Sequence, residues 1–391
     1  MPLVSPTFKI RCPYCRKEFH PGDAPISSLN NAGAVLYTPP KRGSLGYYLS
    51  RVKVAELNGE KYTTAMARRA CPSCNRLLPE HETDRVFNIA IVGDTSSGKT
   101  HFIAVLIDQL KRGLLMQTGN GGTRLTALSP DTERKYREDY YIPILQERNA
   151  RLPGTARGTF DAQGQPVPHD PLAYQLVMHD NQTGTTRGVN LLFYDIPGEE
   201  IADSTLIVQF GEHILRADAI IYLADPVTIS QVREKLPSHL QPDAASISSR
   251  SAHEVLSNVM YRFEQYQQIQ SGATLDVPTA IMLSKSDLLK YTIPVHQHHN
   301  YLIFQPKIYD GRAHPGEFAR IHQEVESCLR FYDEHALLQI SSRFTNLNFF
   351  AVSATGGPPD SKGKYVYLEP LHCLDPFVWA LWKLGCIEAD Q

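Results

Sequence analysis

Residues Val86–Thr100 read VFNIAIVGDTSSGKT, and the fold turns on this stretch. Val86–Val92 is an almost unbroken apolar run of strand length, the pattern of a strand buried on both faces. Gly93–Gly98 is a glycine-bounded turn, and the stretch Lys99–Arg112 that follows is amphipathic and stops at Gly113. Strand, tight turn and helix in that order open a βαβ unit. The turn itself matches G-x-x-x-x-G-K-[ST]. Two glycines at that spacing let the backbone wrap with its N–H groups facing inward, and the next helix adds its positive N-terminal end. Gly93, Asp94, Thr95, Ser96, Ser97 and Gly98 are therefore expected to cradle phosphates. Lys99 is expected to neutralise the β/γ oxygens, and the Thr100 hydroxyl to ligate Mg²⁺.

Working outward, strand-like runs recur at Leu172–His179, Val189–Tyr194, Ala219–Ala224, Thr279–Ser284 and Asn348–Val352, with helical patterns between several of them. Short apolar strands alternating with helices predict a mostly parallel sheet covered on both faces. Pro376–Ile387 reads as a closing amphipathic helix with Trp379 and Trp382 on its apolar side. Arg148–Pro171, Leu236–Ser251 and Ile293–Gly316 read as loops or insertions.

Three further motifs follow predicted strands. Asp195-Ile196-Pro197-Gly198 follows Val189–Tyr194; an acid there can hold Mg²⁺ through water, and the glycine can offer its N–H to a γ-phosphate. Ser284-Lys285-Ser286-Asp287 follows Thr279–Leu283. Asp287 can accept from the N1–H and N2 amine of guanine, which adenine cannot match, while the Lys285 stem lies across the base. Ser353-Ala354-Thr355 can place a backbone N–H on the guanine O6.

With GDTSSGKT, DIPG, SKSD and SAT in that order, residues 86–391 resemble a Ras-like P-loop GTPase of the translation-factor-related class. The resemblance implies GTP or GDP with Mg²⁺ at Gly93–Thr100, a γ-phosphate sensor at Asp195 and Gly198, and base reading by Lys285, Asp287, Ser353 and Ala354. The overall build and the terminal DPFVWALWKLG are also similar to the bacterial double-GTPase families of defence and signalling clusters, some of which carry zinc ribbons. A protein partner or effector, including a second GTPase, is then expected.

Two departures from the family pattern stand out. Ser284 replaces the usual Asn or Thr. Glu199 occupies the position after Gly198 where Ras-type enzymes carry the water-orienting glutamine, so slow or partner-assisted hydrolysis is expected. The first switch threonine should fall between Arg112 and Leu172; Thr155 is preferred over Thr159. Arg151 and Arg157 are candidates for an arginine finger in cis, although a solvated loop arginine is the plainer reading of each.

The first 85 residues differ in texture. They carry 13 Lys/Arg against 7 Asp/Glu, whereas the remainder has 26 against 34, so a net charge of −2 averages a basic piece with an acidic one. Cys12-Pro-Tyr-Cys15 and Cys71-Pro-Ser-Cys74 are both C-P-x-C, a spacing that lets four thiolates face one tetrahedral Zn²⁺. The expected division is thus a zinc ribbon at 1–85, with a structured insertion at Gly22–Arg69, and a GTPase domain at 86–391. The basic excess with Tyr47, Tyr48 and Tyr62 permits nucleic-acid binding, but protein docking or a structural role is favoured. The three other cysteines, Cys328, Cys373 and Cys386, lack ligand spacing and read as core thiols. His296–His299 invites a second metal, with a solvent-facing loop as the plainer reading. No apolar run approaches a membrane span and no signal peptide is evident, so a cytoplasmic protein is expected. With 42% apolar and 20% charged residues, a disordered chain is excluded.

Overall fold

Strand β1, Val86–Gly93, is buried at every position but Phe87, as its apolar run predicts. It lies at the centre of a seven-stranded sheet formed with β2 (Gly121–Ala127), β3 (Leu172–Asp180), β4 (Thr185–Asp195), β5 (Ala219–Ala224), β6 (Thr279–Leu283) and β7 (Leu347–Ala351). The strand order is β7-β6-β5-β1-β4-β3-β2. Pairing from β4 through β1, β5 and β6 to β7 is parallel, while β3 runs antiparallel to both of its neighbours. The computed structural model describes residues 10–12, 17–20, 23–24, 26–30, 33–37, 56–57, 60–61, 67–74, 78, 86–118, 121–152, 159–160, 166–167, 171–181, 184–195, 197–202, 212–242 and 251–390.

Strands β5 and β6 are buried along their whole length. Unbroken burial of adjacent strands means that both faces of the sheet are covered. Helix α1 (Lys99–Lys111) buries Phe102 to Ile107 against β1 and β4. It ends one residue before the Arg112 expected from sequence, in a Schellman closure. Gly113 N–H reaches the Leu110 carbonyl and Leu114 N–H that of Gln109, and Gly113 takes a φ of +74°. Past it come the edge strand β2, helix α2 (Pro130–Tyr136) and a π-helical continuation, Arg137–Gln146. The amphipathic reading missed both β2 and the π-helix, because GGTRLTA is polar and REDYYIPILQ carries a proline.

Helix α3 (Ala252–Gln267) opens with a capping box in which Ser251 N–H donates to Glu254, and buries Val255, Leu256, Val259, Met260 and Phe263. Helix α4 (Pro315–Phe331) packs on β7 through Phe318, Ile321, Val325 and Leu329. The closing helix, α5 (Asp375–Lys383), is shorter than Pro376–Ile387. It packs on β5 and β6, with Trp379 edge-on to Phe350 at 6.2 Å and Phe377 beside Phe193 at 6.0 Å.

Before residue 86 the described elements are short antiparallel pieces: Ile10–Arg11 with Glu18–Phe19, Glu56–Leu57 with Glu60–Lys61, and a sheet ordered Gly33–Tyr37, Ile26–Asn30, Ala67–Arg69. Strands therefore lie inside the expected insertion; the stretch Gly46–Leu57, which also reads as a strand in sequence, falls mostly outside the described residues. No helix among the described residues is long and apolar enough to cross a membrane.

Trp379, only 1% exposed, is the largest fully buried side chain. Trp379→Ala should destabilise the protein by about 3–5 kcal/mol in denaturant unfolding. A loss below about 1 kcal/mol would show that α5 does not close the core.

Candidate functional site

Register brings the motifs together. On one side of β1, β4 pairs from Asn190 opposite Val86 to Asp195 opposite Ile91, so Asp195 ends its strand beside the Gly93–Gly98 turn. On the other side, Leu223 of β5 lies opposite Gly93, Leu283 of β6 opposite Ala224, and Ala351 of β7 opposite Leu283. The chain segments after β1, β4, β5, β6 and β7 thus emerge level at the carboxyl ends of parallel strands, where open α/β sheets bind ligands.

The turn is shaped by two left-handed residues, Ser96 (φ +65°) and Gly98 (φ +87°). Alternating backbone handedness of this kind makes successive N–H groups converge into an anion-binding concavity. Lys99 Nζ donates to the carbonyls of Gly93 and Asp94, both at 2.8 Å, and keeps a third donor. Burial lowers its pKa, against the pull of Asp195 and Asp94. Glycine is required at 198, because a Cβ there would sit 2.2 Å from the Thr95 nitrogen. The Asp195–Gly198 segment therefore presses directly on the turn. Ser97 Oγ, buried within the turn, has no hydrogen-bond partner among the described residues.

Asp195 Oδ2 accepts from Thr100 Oγ1 at 3.1 Å and from the Tyr140 hydroxyl at 3.1 Å. Its Oδ1 is buried without a hydrogen-bond partner among the described residues. Burial pushes this carboxyl upward, and Lys99, Thr100 and Tyr140 hold it down. A carboxylate oxygen left unsatisfied is costly. Beside a hydroxyl with lone pairs, it forms the oxygen donor set that suits a hydrated hard cation.

At the other end of the row, Lys285 (φ +49°) reaches Asp225 with its ammonium at 2.6 Å. Asp287 is buried, and its Oδ1 accepts from Ser353 Oγ at 2.6 Å; Ser353 Oγ in turn accepts from the Gly356 N–H at 2.8 Å. Burial raises the Asp287 carboxyl, and the Ser353 hydrogen bond opposes this. The SKSD and SAT segments are thereby joined side chain to side chain, with Ala354 next in line.

From this loop the chain runs out and back between the paired Ser353 and Leu371, as a strap. Lys364 pairs with Asn149, and Tyr365 N–H donates to the Arg148 carbonyl. The Tyr365 ring stands edge-on to His101 at 5.8 Å, and His101 Nε2 lies 3.1 Å from the Asn149 carbonyl. The strap's return is anchored by His372, which contacts Asp375 through Nδ1 (2.7 Å) and the Leu302 carbonyl through Nε2 (3.0 Å). Lys307 pairs with Asp375 from the far side at 3.1 Å.

In the N-terminal piece, the sulfurs of Cys12, Cys71 and Cys74 all lie within 4.8 Å of one another, Cys12 and Cys74 at 3.7 Å. Zn–S bonds of about 2.3 Å in a tetrahedron give S···S edges of about 3.8 Å, so the thiols fit zinc. Ser73 N–H points at Cys71 Sγ, at 3.3 Å.

Cys15, Thr155 and Arg157 lie outside the described residues, as does the side chain of Glu199, whose backbone belongs to the helix Gly198–Ala202. Thr159 lies in the short strand Thr159–Phe160, and Arg151 is exposed. Among the described residues, His296–His299 forms no metal-binding group. His298 instead sets its Nε2 against the Lys290 and Ile293 carbonyls. Cys373 and Cys386 are buried, as core thiols should be, and Cys328 is half-buried. Sequence reasoning missed Asp225, Tyr140 and the strap. Asp225 carried a signal, an acid directly after an apolar strand; the other two carried none.

No family model matches the chain. A Mycolicibacterium smegmatis protein, provisionally described as the ESX-1 scaffolding and assembly protein SaeC, is 26% identical over 356 residues, covering 84% of this chain and 86% of its own. Among solved structures, the Chaetomium thermophilum signal recognition particle receptor SRb-GTP/SRX complex is 14% identical. It covers 72% of this chain and 93% of its own, with a TM-score of 0.27. Methanosarcina barkeri Roco2 RocCORdC bound to GDP (12%; 68% and 43%; TM-score 0.21) and the GTP-bound S. cerevisiae Ski7 GTPase-like domain (12%; 68% and 42%; TM-score 0.26) are similar at the same level.

Burial opposes charge on His372, but Asp375 outweighs it and raises the imidazole pKa; the same contact lowers Asp375 despite its burial. A raised histidine stabilises below its unfolded value of about 6.5 and loses that contribution as pH climbs through the folded value. His372→Gln should therefore cost more stability at about pH 5.5 than at about pH 8.5 in denaturant titrations. An equal cost at both would refute the charged pair.

Proposed function

We propose that this chain is a guanine-nucleotide-binding switch with slow GTP hydrolysis, its nucleotide state governing docking to a protein partner. The observation that supports this best is the level row at one sheet end. Lys99, Thr100 and Asp195 suit phosphates and a cation, and the buried Asp287–Ser353 pair suits a guanine edge. Gly93–Gly98 would wrap the phosphates and Lys99 would use its remaining donor on them. Thr100 and Asp195 would hold Mg²⁺, which neutralises β/γ charge when bound. Gly198 would give its N–H to the γ-phosphate. Its contact with Thr95 would pass the presence of that phosphate to the helix Gly198–Ala202. Thr155 is assigned the closing role in the first switch, and Lys285, Asp287, Ser353 and Ala354 the base.

Glu199 stands where a neutral water-orienting side chain would serve hydrolysis better, so turnover is slow or partner-assisted. A carboxylate there also favours a second reading, a nucleotide-occupied scaffold without turnover. The scaffolding and assembly description of the M. smegmatis relative supports a protein partner in either case. The chain divides into a zinc ribbon at 1–85, in which Cys12, Cys15, Cys71 and Cys74 hold one Zn²⁺, and a GTPase domain at 86–391.

Guanine reading is tested with Asp287→Asn. GTP affinity should fall by about 10²–10⁴-fold, with xanthosine triphosphate gaining, as expected when charge-assisted bonds are lost. Wild-type protein that binds ATP as tightly as GTP overturns the reading. Elemental analysis should find one zinc per chain, lost in Cys71→Ser; two equivalents, or zinc retained in that variant, would refute the single ribbon site.

A further inference from the structure

The Asp195 carboxylate does not meet the phosphate loop alone. The π-helical stretch Arg137–Gln146 lies between β2 and the segment leading to β3, and from it Tyr140 reaches down to the carboxyl end of β4. Its ring is 3% exposed and is stacked 6.2 Å from Tyr136, whose hydroxyl is tied to the Ala104 carbonyl of α1 at 3.1 Å. The Tyr140 hydroxyl donates to the same oxygen, Oδ2, that accepts from Thr100. One carboxylate oxygen is thus held by two hydroxyls. The other, Oδ1, is buried and has no partner among the described residues. A carboxylate gripped at one oxygen cannot swing about its Cβ–Cγ bond, so the orientation of Oδ1 is set by Tyr140 as much as by Thr100.

We propose that Tyr140 is a positioning residue for the divalent cation: its hydroxyl fixes the Asp195 carboxylate, which with Thr100 would hold the hydrated ion. This deepens the nucleotide-switch reading and rests on it. The local helix type serves the purpose. A π-turn widens the helix by one residue, and such turns gather at functional sites. The Tyr140 phenol spans from this helix to the end of β4 while its ring stacks against Tyr136. A carboxylate or ammonium in its place would change the charge at the cation; a hydroxyl orients without doing so. Hydrogen-bond partners that orient a metal's ligands are worth about 10–100-fold in metal affinity.

Tyr140→Phe keeps the ring and removes the hydroxyl. The assay is release of a fluorescent GDP analogue, titrated with Mg²⁺ and repeated in chelator. The Mg²⁺ concentration for half-maximal retention should rise about tenfold in the variant, while release in chelator stays at the wild-type value. In an Asp195→Asn background, Tyr140→Phe should add no further shift, because the group it orients is gone. A variant with wild-type Mg²⁺ dependence overturns the inference alone. Equal weakening with and without Mg²⁺ overturns it too, in favour of a packing role. Wild-type protein whose retention ignores Mg²⁺ overturns the site reading and this inference together.

Discussion

The parallel register of β4 against β1 is the constraint on which the site depends. With Asp195 opposite Ile91, the strand delivers its carboxylate two residues short of Gly93, within reach of Thr100 on the first turn of α1. A slip of one residue would turn Asp195 to the opposite face of the sheet. The register is protected by burial. Val189, Leu191, Leu192 and Phe193 of β4, and Ile89 to Val92 of β1, are 0–1% exposed, so any slip would expose or overcrowd several of them at once. The same core sets the close approach of Gly198 to Thr95, which leaves no room for a side chain. Packing energy spread over two strands is in this way converted into ångström-scale placement of one acid and one glycine.

Around that fixed centre the chain adds two long-range ties. The insertion between α1 and β3 returns Tyr140 to Asp195 from one side. The strap between Ser353 and Leu371 reaches Arg148 and Asn149 from the other, past His101 directly after Thr100. Both ties run through residues that precede Thr155 and Thr159, the two candidates for the first switch. The Ser353–Leu371 strap and α1 are therefore joined through residues 148–150, a route that does not pass through the sheet. Buried His372 and Asp375, with half-buried Lys307, hold the root of the strap, and His372 does so at a φ of +57°, a conformation a non-glycine residue keeps only when its surroundings impose it.

What was legible in the sequence is what depends on local pattern. Apolar runs located β1, β3 to β7 and most of α1 and α5, since strands buried on both faces leave a continuous apolar trace. G-x-x-x-x-G-K-T was readable because the backbone conformation it demands restricts residue types. Edge strand β2 was not, because exposure on one face removes the apolar trace, and GGTRLTA resembles a loop. Tyr140 was not, because its role exists only once the π-helix is laid across the end of β4; in the string REDYYIPILQ nothing separates it from Tyr141, which is 41% exposed. The Lys285–Asp225 pair joins residues sixty positions apart and needed the parallel neighbours β5 and β6 to become visible.

The electrostatics of the site favour binding without rearrangement. Lys99 is buried, and burial lowers its pKa, against the pull of the Asp195 and Asp94 charges, while its ammonium donates to the carbonyls of Gly93 and Asp94. An ammonium has three donors, and two bonds to its own loop leave one, so a phosphate oxygen can be accepted without breaking either. The two bonds also keep the loop in its convergent shape. The ordering cost that association would otherwise bear is therefore met during folding. Asp195 behaves in the same way, with one oxygen held by Thr100 and Tyr140 and the other directed inward. On the proposed function, the phosphate end of the row would be assembled before a ligand arrives, and selectivity would be left to the base end, where the buried Asp287 carboxylate would decide between guanine and adenine.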